Sequence, residues 1–200
     1  MIYLVPVGQM DSAMTKRARE WAVRVAYDAA FRLYGGADVT VRPLMFPIQI
    51  RAAKGSTWRC TNQEPMNADR PSVCLDAEIP ERTAVSIFAV GLPGREDDVD
   101  WLRFDVGECT VAMVSLGELR CYPVTFLRDA ALDDSPQPRL GCLSEPIPVT
   151  AGQRLRITMG GGPRRASISK SPGACEVVIS GFVAEPSRET IGFQPARTTT

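Results

Sequence analysis

The sequence predicts a mainly β protein: an antiparallel β-sandwich, jelly-roll-like, with one long N-terminal α-helix and extended terminal arms. Three observations carry that expectation. Residues 11–34 are the one stretch with sustained helical periodicity, and they contain neither Gly nor Pro. From Ser72 onward, short segments of alternating or continuous apolar character follow one another, separated by Gly, Pro and Asp clusters. Roughly eight such segments joined by turns rather than helices favour antiparallel packing over a parallel α/β arrangement. The expected division is an arm and helix over 1–36, a sandwich domain over 37–185 and an extended tail over 186–200.

Taken in order, Ile2–Val7 is apolar but holds Pro6, which cannot donate to a ladder, so it reads as an edge strand or an arm. The helix follows. Asp11 or Ser12 suits its N-cap, and Gly35 or Gly36 its left-handed end. At about 100° per residue, Met14, Ala18, Trp21, Ala22, Val25, Ala29 and Leu33 share a wide apolar face, expected to cover the sandwich. Arg17, Glu20, Arg24 and Asp28 form a charged ladder at helical spacing. A second apolar row comprises Val23, Tyr27, Ala30 and Tyr34, with Phe31 beside it. That row, together with Trp58, is the candidate interface with another chain.

Val39–Arg42 alternates as a half-buried strand, and Pro43 and Pro47 place the following apolar positions at an edge or a bend. Lys54–Pro71 reads as a long polar loop carrying Trp58, of a length usually functional or partner-bound. Val73–Ile79 alternates, and Thr83–Val90 has the continuous apolarity of a strand buried on both faces. An acidic loop over 95–100 leads into Trp101–Val106. Cys109–Leu116 and Leu119–Leu127 read as a hairpin around Gly117-Glu118. Ile147–Gly152 turns into Gln153–Thr158, with Leu155 and Ile157 inward and Arg154 and Arg156 outward. Gly160–Pro163 opens a flexible tip bearing Arg164 and Arg165, and Cys175–Ala184 is the last strong strand.

Composition narrows the function classes. With 23 basic and 23 acidic residues the formal charge is zero, which argues against nucleic acid as a partner. No apolar run approaches spanning length, so no membrane partner is expected. The N-terminus lacks the basic n-region of a signal peptide, which predicts synthesis in the cytoplasm and reduced thiols at Cys60, Cys74, Cys109, Cys121, Cys142 and Cys175. The chain has no His. That removes Ser–His and Cys–His nucleophile pairs, and without C-x-x-C spacing no metal site or cofactor is expected. Asp97, Asp98, Asp100, Asp105 and Glu108 are the candidates for a carboxylate pair or a cation loop, though a solvated loop is the plainer reading. Gly160-Gly161-Gly162-Pro163-Arg164-Arg165 lacks the form of a phosphate-binding loop.

The run IPVTAGQRLRITM followed by CEVVISGFVAEP resembles the closing strands of β-sandwich modules on virus particles, such as phage capsid decoration proteins. Sugar-binding sandwich domains have similar strand–Ala-Gly–strand passages. The resemblance spans residues 147–186 and implies a surface-exposed structural sandwich, with no catalytic positions. The expected function is therefore a non-enzymatic assembly protein, a decoration, cement or minor capsid component of a virion. Its partners would be subunits of the assembly, copies of itself among them. A carbohydrate-binding module using Trp58 or Trp101 is the first alternative, and a carboxylate-dependent glycoside hydrolase the second.

Overall fold

The computed structural model describes residues 2–35, 38–44, 57–62, 71–92, 99–121, 139–161 and 175–187, with backbone alone at 57–62, 175 and 176. Among these residues it contains one α-helix and ten strands: β1 (Leu4–Pro6), α1 (Ser12–Tyr34), β2 (Val39–Pro43), β3 (Thr57–Asn62), β4 (Ser72–Glu78), β5 (Ala84–Gly91), β6 (Trp101–Val106), β7 (Cys109–Ser115), β8 (Leu140–Thr150), β9 (Arg154–Gly160) and β10 (Cys175–Pro186). The strands form two antiparallel sheets. One runs β1-β8-β5-β10-β2, with β3 also paired to β10, and the other runs β4-β9-β6-β7. The twelve-residue β10 takes β3 along Cys175–Ser180 and β2 along Phe182–Pro186, so two short strands share its length.

One buried cluster draws on both sheets. Leu75, Leu102, Phe104, Val114, Leu155, Ile157 and Met159 come from the four-stranded sheet. Val85, Ile87, Val90, Leu143, Ile147, Val149, Val177, Ile179 and Val183 come from the six-stranded one. The alternation seen in the sequence sets this: Leu155 and Ile157 are buried, whereas Arg154 and Arg156 are exposed. A second cluster lies on the other face of the six-stranded sheet, where α1 meets Ala84, Phe88, Ala89, Cys142, Phe182 and Ala184. β5 is thus buried along all eight residues, as its continuous apolar run requires.

Four expectations need correcting. The first concerns α1. Its contact stripe is Ala22, Ala26 and Ala30, while Met14, Trp21 and Leu33, expected to cover the core, are exposed. Alanines let the helix backbone approach closely, and the volume between is filled from the sheet by Phe88 and Phe182, stacked at 5.6 Å. Bulky side chains at the margins of so close a contact are left outside it. Second, Lys54–Pro71 is not a continuous loop, since β3 occupies Thr57–Asn62 and pairs with β10. Its polar sequence hides a strand whose ladder is completed by a segment more than a hundred residues away.

Third, β7 is not the first arm of a hairpin around Gly117-Glu118. It pairs with β6, and Glu118–Cys121 closes into a single 3-10 turn that buries Leu119; residues 122–127 lie outside the described residues. Fourth, the turn into Gln153–Thr158 does not begin at Ile147, because Leu140–Thr150 is one continuous strand, β8. Pro146 and Pro148 mask it, yet they fall beyond the stretch that bonds to β1, so their missing N–H groups cost no ladder bond there.

The reading of Ile2–Val7 as an edge strand agrees with the fold, since β1 lies at an edge and ends in Pro6. β2 lies at the other edge and ends in Pro43, whereas the edge or bend expected beyond Pro43 falls on 45–50, outside the described residues. Arg42 on β2 pairs with Glu185 on β10 at 2.9 Å, tying that edge down. No helix among the described residues is long and apolar enough to cross a membrane.

Candidate functional site

The surface with the least ordinary composition is the outer side of α1. The helix begins where Asp11, in extended conformation, accepts the Met14 N–H at 2.6 Å. It ends where Gly35, at φ 66°, donates its N–H to the Phe31 carbonyl at 3.1 Å. A left-handed residue is needed there, and Gly adopts it without a Cβ clash. Both ends agree with the sequence reading.

With the alanine stripe on the sheet, Met14, Trp21, Tyr27 and Phe31 stand on the far side of α1, while Leu33, in line with the stripe on the helical wheel, is exposed near the helix end. Met14 and Trp21 are 47% exposed, Leu33 46%, Phe31 45% and Tyr27 41%. Tyr27 and Phe31, one turn apart, stack with ring centroids 6.0 Å apart. On the helical wheel they lie on one flank of the ladder containing Arg24 and Asp28, with Met14 and Trp21 on the other. Arg24 and Asp28 approach to 3.8 Å and remain mostly exposed. Such isolated surface pairs contribute little to stability.

The structure divides the row singled out as an interface. Tyr27 and Phe31 are exposed. Ala30 is fully buried against the sheet, and Val23 and Tyr34 pack partly against the same cluster. The Tyr34 hydroxyl is buried without a hydrogen-bond partner among the described residues, and burial raises its pKa above the ordinary value. The Trp58 side chain lies outside the described residues; its backbone pairs with Ile179. Trp21 and Met14 are the additions. Sequence periodicity alone assigned them to the core, and the signal that could have moved them out was the competing stripe of small residues at Ala22, Ala26 and Ala30.

The outer face of the four-stranded sheet is the second candidate, and its chemistry differs. Asp76 on β4 accepts from Arg154 at 3.0 Å and from Arg156 at 2.8 Å. Those two hydrogen bonds hold its carboxyl down at about 2. Asp105 accepts from Arg103 at 3.0 Å and from Thr110 at 2.6 Å. Together Arg103, Asp105, Glu108, Thr110, Arg154 and Arg156 line a shallow basin of about 370 Å³. At the far end of this face Trp101 lies across Gly160, where any Cβ would strike the indole.

Among the described residues the acidic side chains do not converge as a pair of free carboxylates. Asp100 is engaged by Arg120, whose guanidinium also reaches the Val99 carbonyl. Asp105 is committed to Arg103 and Thr110, and Glu108 stands in the turn after β6. Asp97, Asp98 and the Gly162–Arg165 tip lie outside the described residues. Among those described, no three His, Cys, Asp or Glu side chains gather as a cation site. The four cysteines whose side chains are described are free; Cys142 is buried, which pushes its thiol up to about 12, and Cys109 and Cys121 are exposed. No protein-family model matches the chain, and comparison with curated proteins finds no significant match.

Proposed function

We propose that this chain is a non-enzymatic assembly protein that binds neighbouring subunits through the outer side of α1, most concretely a decoration, cement or minor capsid component of a virion. One observation carries the reading. Four large apolar side chains on the outer side of α1, Met14, Trp21, Tyr27 and Phe31, are 41–47% exposed, while the same helix meets its own domain mainly through alanines. Single exposed apolar residues are normal, but several gathered on one element mark a contact surface.

We further infer that the two sheets form a β-sandwich of the jelly-roll kind. Support comes from the nesting of the strand pairs: β3 with β10, β4 with β9, β5 with β8 and β6 with β7. Each pair encloses the next, as in a long hairpin folded over on itself, and successive pairs alternate between the sheets. This topology is common in viral capsid and lectin domains, so it suits the assembly reading and does not by itself select it.

The test is particle association. Particles purified from the source of this chain are sedimented and probed for it, alongside a Trp21→Ser/Tyr27→Ser/Phe31→Ser variant. The expected outcome is that the wild type travels with the particles, and that the variant keeps its melting temperature but stays in the slow fractions. A wild type found only at monomer mass, or a variant that still travels with particles, overturns the proposal.

A second reading rests on Trp101. An indole lying over Gly160, at the far end of the face that holds the polar basin, is a group a carbohydrate module would use for stacking on a sugar ring. Glycan binding that disappears in Trp101→Ala and survives the α1 substitutions would favour it over the assembly reading.

A further inference from the structure

The outer surface of α1 is complementary to itself. About Ala26, the middle of the buried stripe, Arg24 and Asp28 stand two positions to either side and carry opposite charge. Ala26 faces the sheet, so the point diametrically opposite lies at the centre of the exposed ridge. Arg24 and Asp28 flank that centre line closely at about 100° per residue.

We propose that the occupant of this surface is a second copy of the chain, docked through α1 about a two-fold axis level with Ala26, with the helices antiparallel. The proposal rests on the assembly reading and narrows it to one partner. In such a pair, a residue standing before Ala26 in one helix lies level with the residue equally far beyond it in the other. Arg24 therefore meets the partner's Asp28, and Asp28 the partner's Arg24. Trp21 and Arg32 occupy the same flank and come nearly level, so each indole lies beside the partner's Arg32 guanidinium, a cation–π contact. On the other flank the stacked Tyr27 and Phe31 are followed by the partner's Tyr27, extending one aromatic ridge across the axis. A parallel pair would set Arg24 against Arg24 and Asp28 against Asp28. Charge thus selects the antiparallel arrangement, while the exposed aromatic area provides most of the attraction.

The experiment is sedimentation equilibrium of the full chain with its Arg24→Asp, Asp28→Arg and doubly exchanged variants, each checked for unchanged thermal unfolding. The wild type is expected to dimerise. Either single exchange places like charges together twice across the axis and weakens the dimer at least about tenfold. The double exchange restores opposite pairs and returns the association close to wild type. A monomeric wild type, or a double variant as weak as the singles, overturns the proposal. A monomer that still binds particles through Trp21 and Phe31 assigns the surface to another subunit, overturning self-pairing and leaving the assembly reading in place. Dimers that ignore particles do the reverse.

Discussion

The six-stranded sheet is covered on both faces, and its two covers are built on opposite principles. The four-stranded sheet packs large against large: Leu102, Phe104, Leu155, Ile157 and Met159 interdigitate with Val85, Ile87, Ile147 and Val149. α1 packs small against large, its alanines lying over Phe88 and Phe182. The outer surfaces invert the contrast. Beyond the four-stranded sheet, arginines and aspartates pair with one another, with Val73, Val111 and Met113 exposed among them. Beyond α1, aromatic and aliphatic side chains stand 41–47% exposed. The cover that spends the least apolar volume on its own core keeps the most for another molecule, so function is sought on the helix.

The largest expected effect tests the large-against-large side. Phe104 is fully buried, so Phe104→Ala should cost about 3–5 kcal/mol in urea unfolding, through lost transfer energy and a residual cavity. A cost under about 1 kcal/mol would deny that the two sheets share a core.

The small-against-large side should respond to added volume instead. Ala26→Leu introduces bulk where the backbone lies close to the sheet, and a destabilisation of about 1–3 kcal/mol is expected. If it is tolerated without loss, the alanine contact is wrong. By contrast, Trp21→Ser and Phe31→Ser remove far larger side chains yet should stay within about 0.5 kcal/mol of wild type. A large loss at Trp21 would restore it to the core, where periodicity alone had put it.

A smaller effect distinguishes the polar face. Asp76 has its carboxyl lowered from an ordinary 3.8 to about 2 by Arg154 and Arg156. A depressed carboxylate contributes stability that is complete above pH 3.8 and is lost as pH falls through about 2. Because the arginines are largely exposed, screening limits the contribution to less than about 1 kcal/mol. Asp76→Asn should remove that portion of the acid dependence between pH 4 and 2 and change little at neutrality. An unaltered acid limb would show that the Asp76 pairing with Arg154 and Arg156 contributes nothing. Among the described thiols, alkylation at mildly alkaline pH should label Cys109 and Cys121 first, with Cys142 protected until unfolding. Early labelling of Cys142 would mean that α1 lifts from the sheet.

Much of this was written in local chemistry. Asp11 and Gly35 bounded the helix because a cap needs only its neighbours. Leu155 and Ile157 pointed inward against Arg154 and Arg156 because alternation is a property of the strand itself. Pro6 marked an edge because a missing donor excludes a central position. β3 was not legible, since Thr57–Asn62 becomes a strand through its pairing with β10, which no local pattern records. Nor was the choice of helix face. On α1, hydrophobicity favoured Met14, Trp21 and Leu33, and the tertiary structure chose Ala22, Ala26 and Ala30 because Phe88 and Phe182 already fill the sheet face and leave room only for small side chains. Periodicity and caps are enough to require a helix with surplus apolar surface on a strand-rich body. Which residues are surplus follows from the packing, because volume, unlike periodicity, depends on what stands opposite.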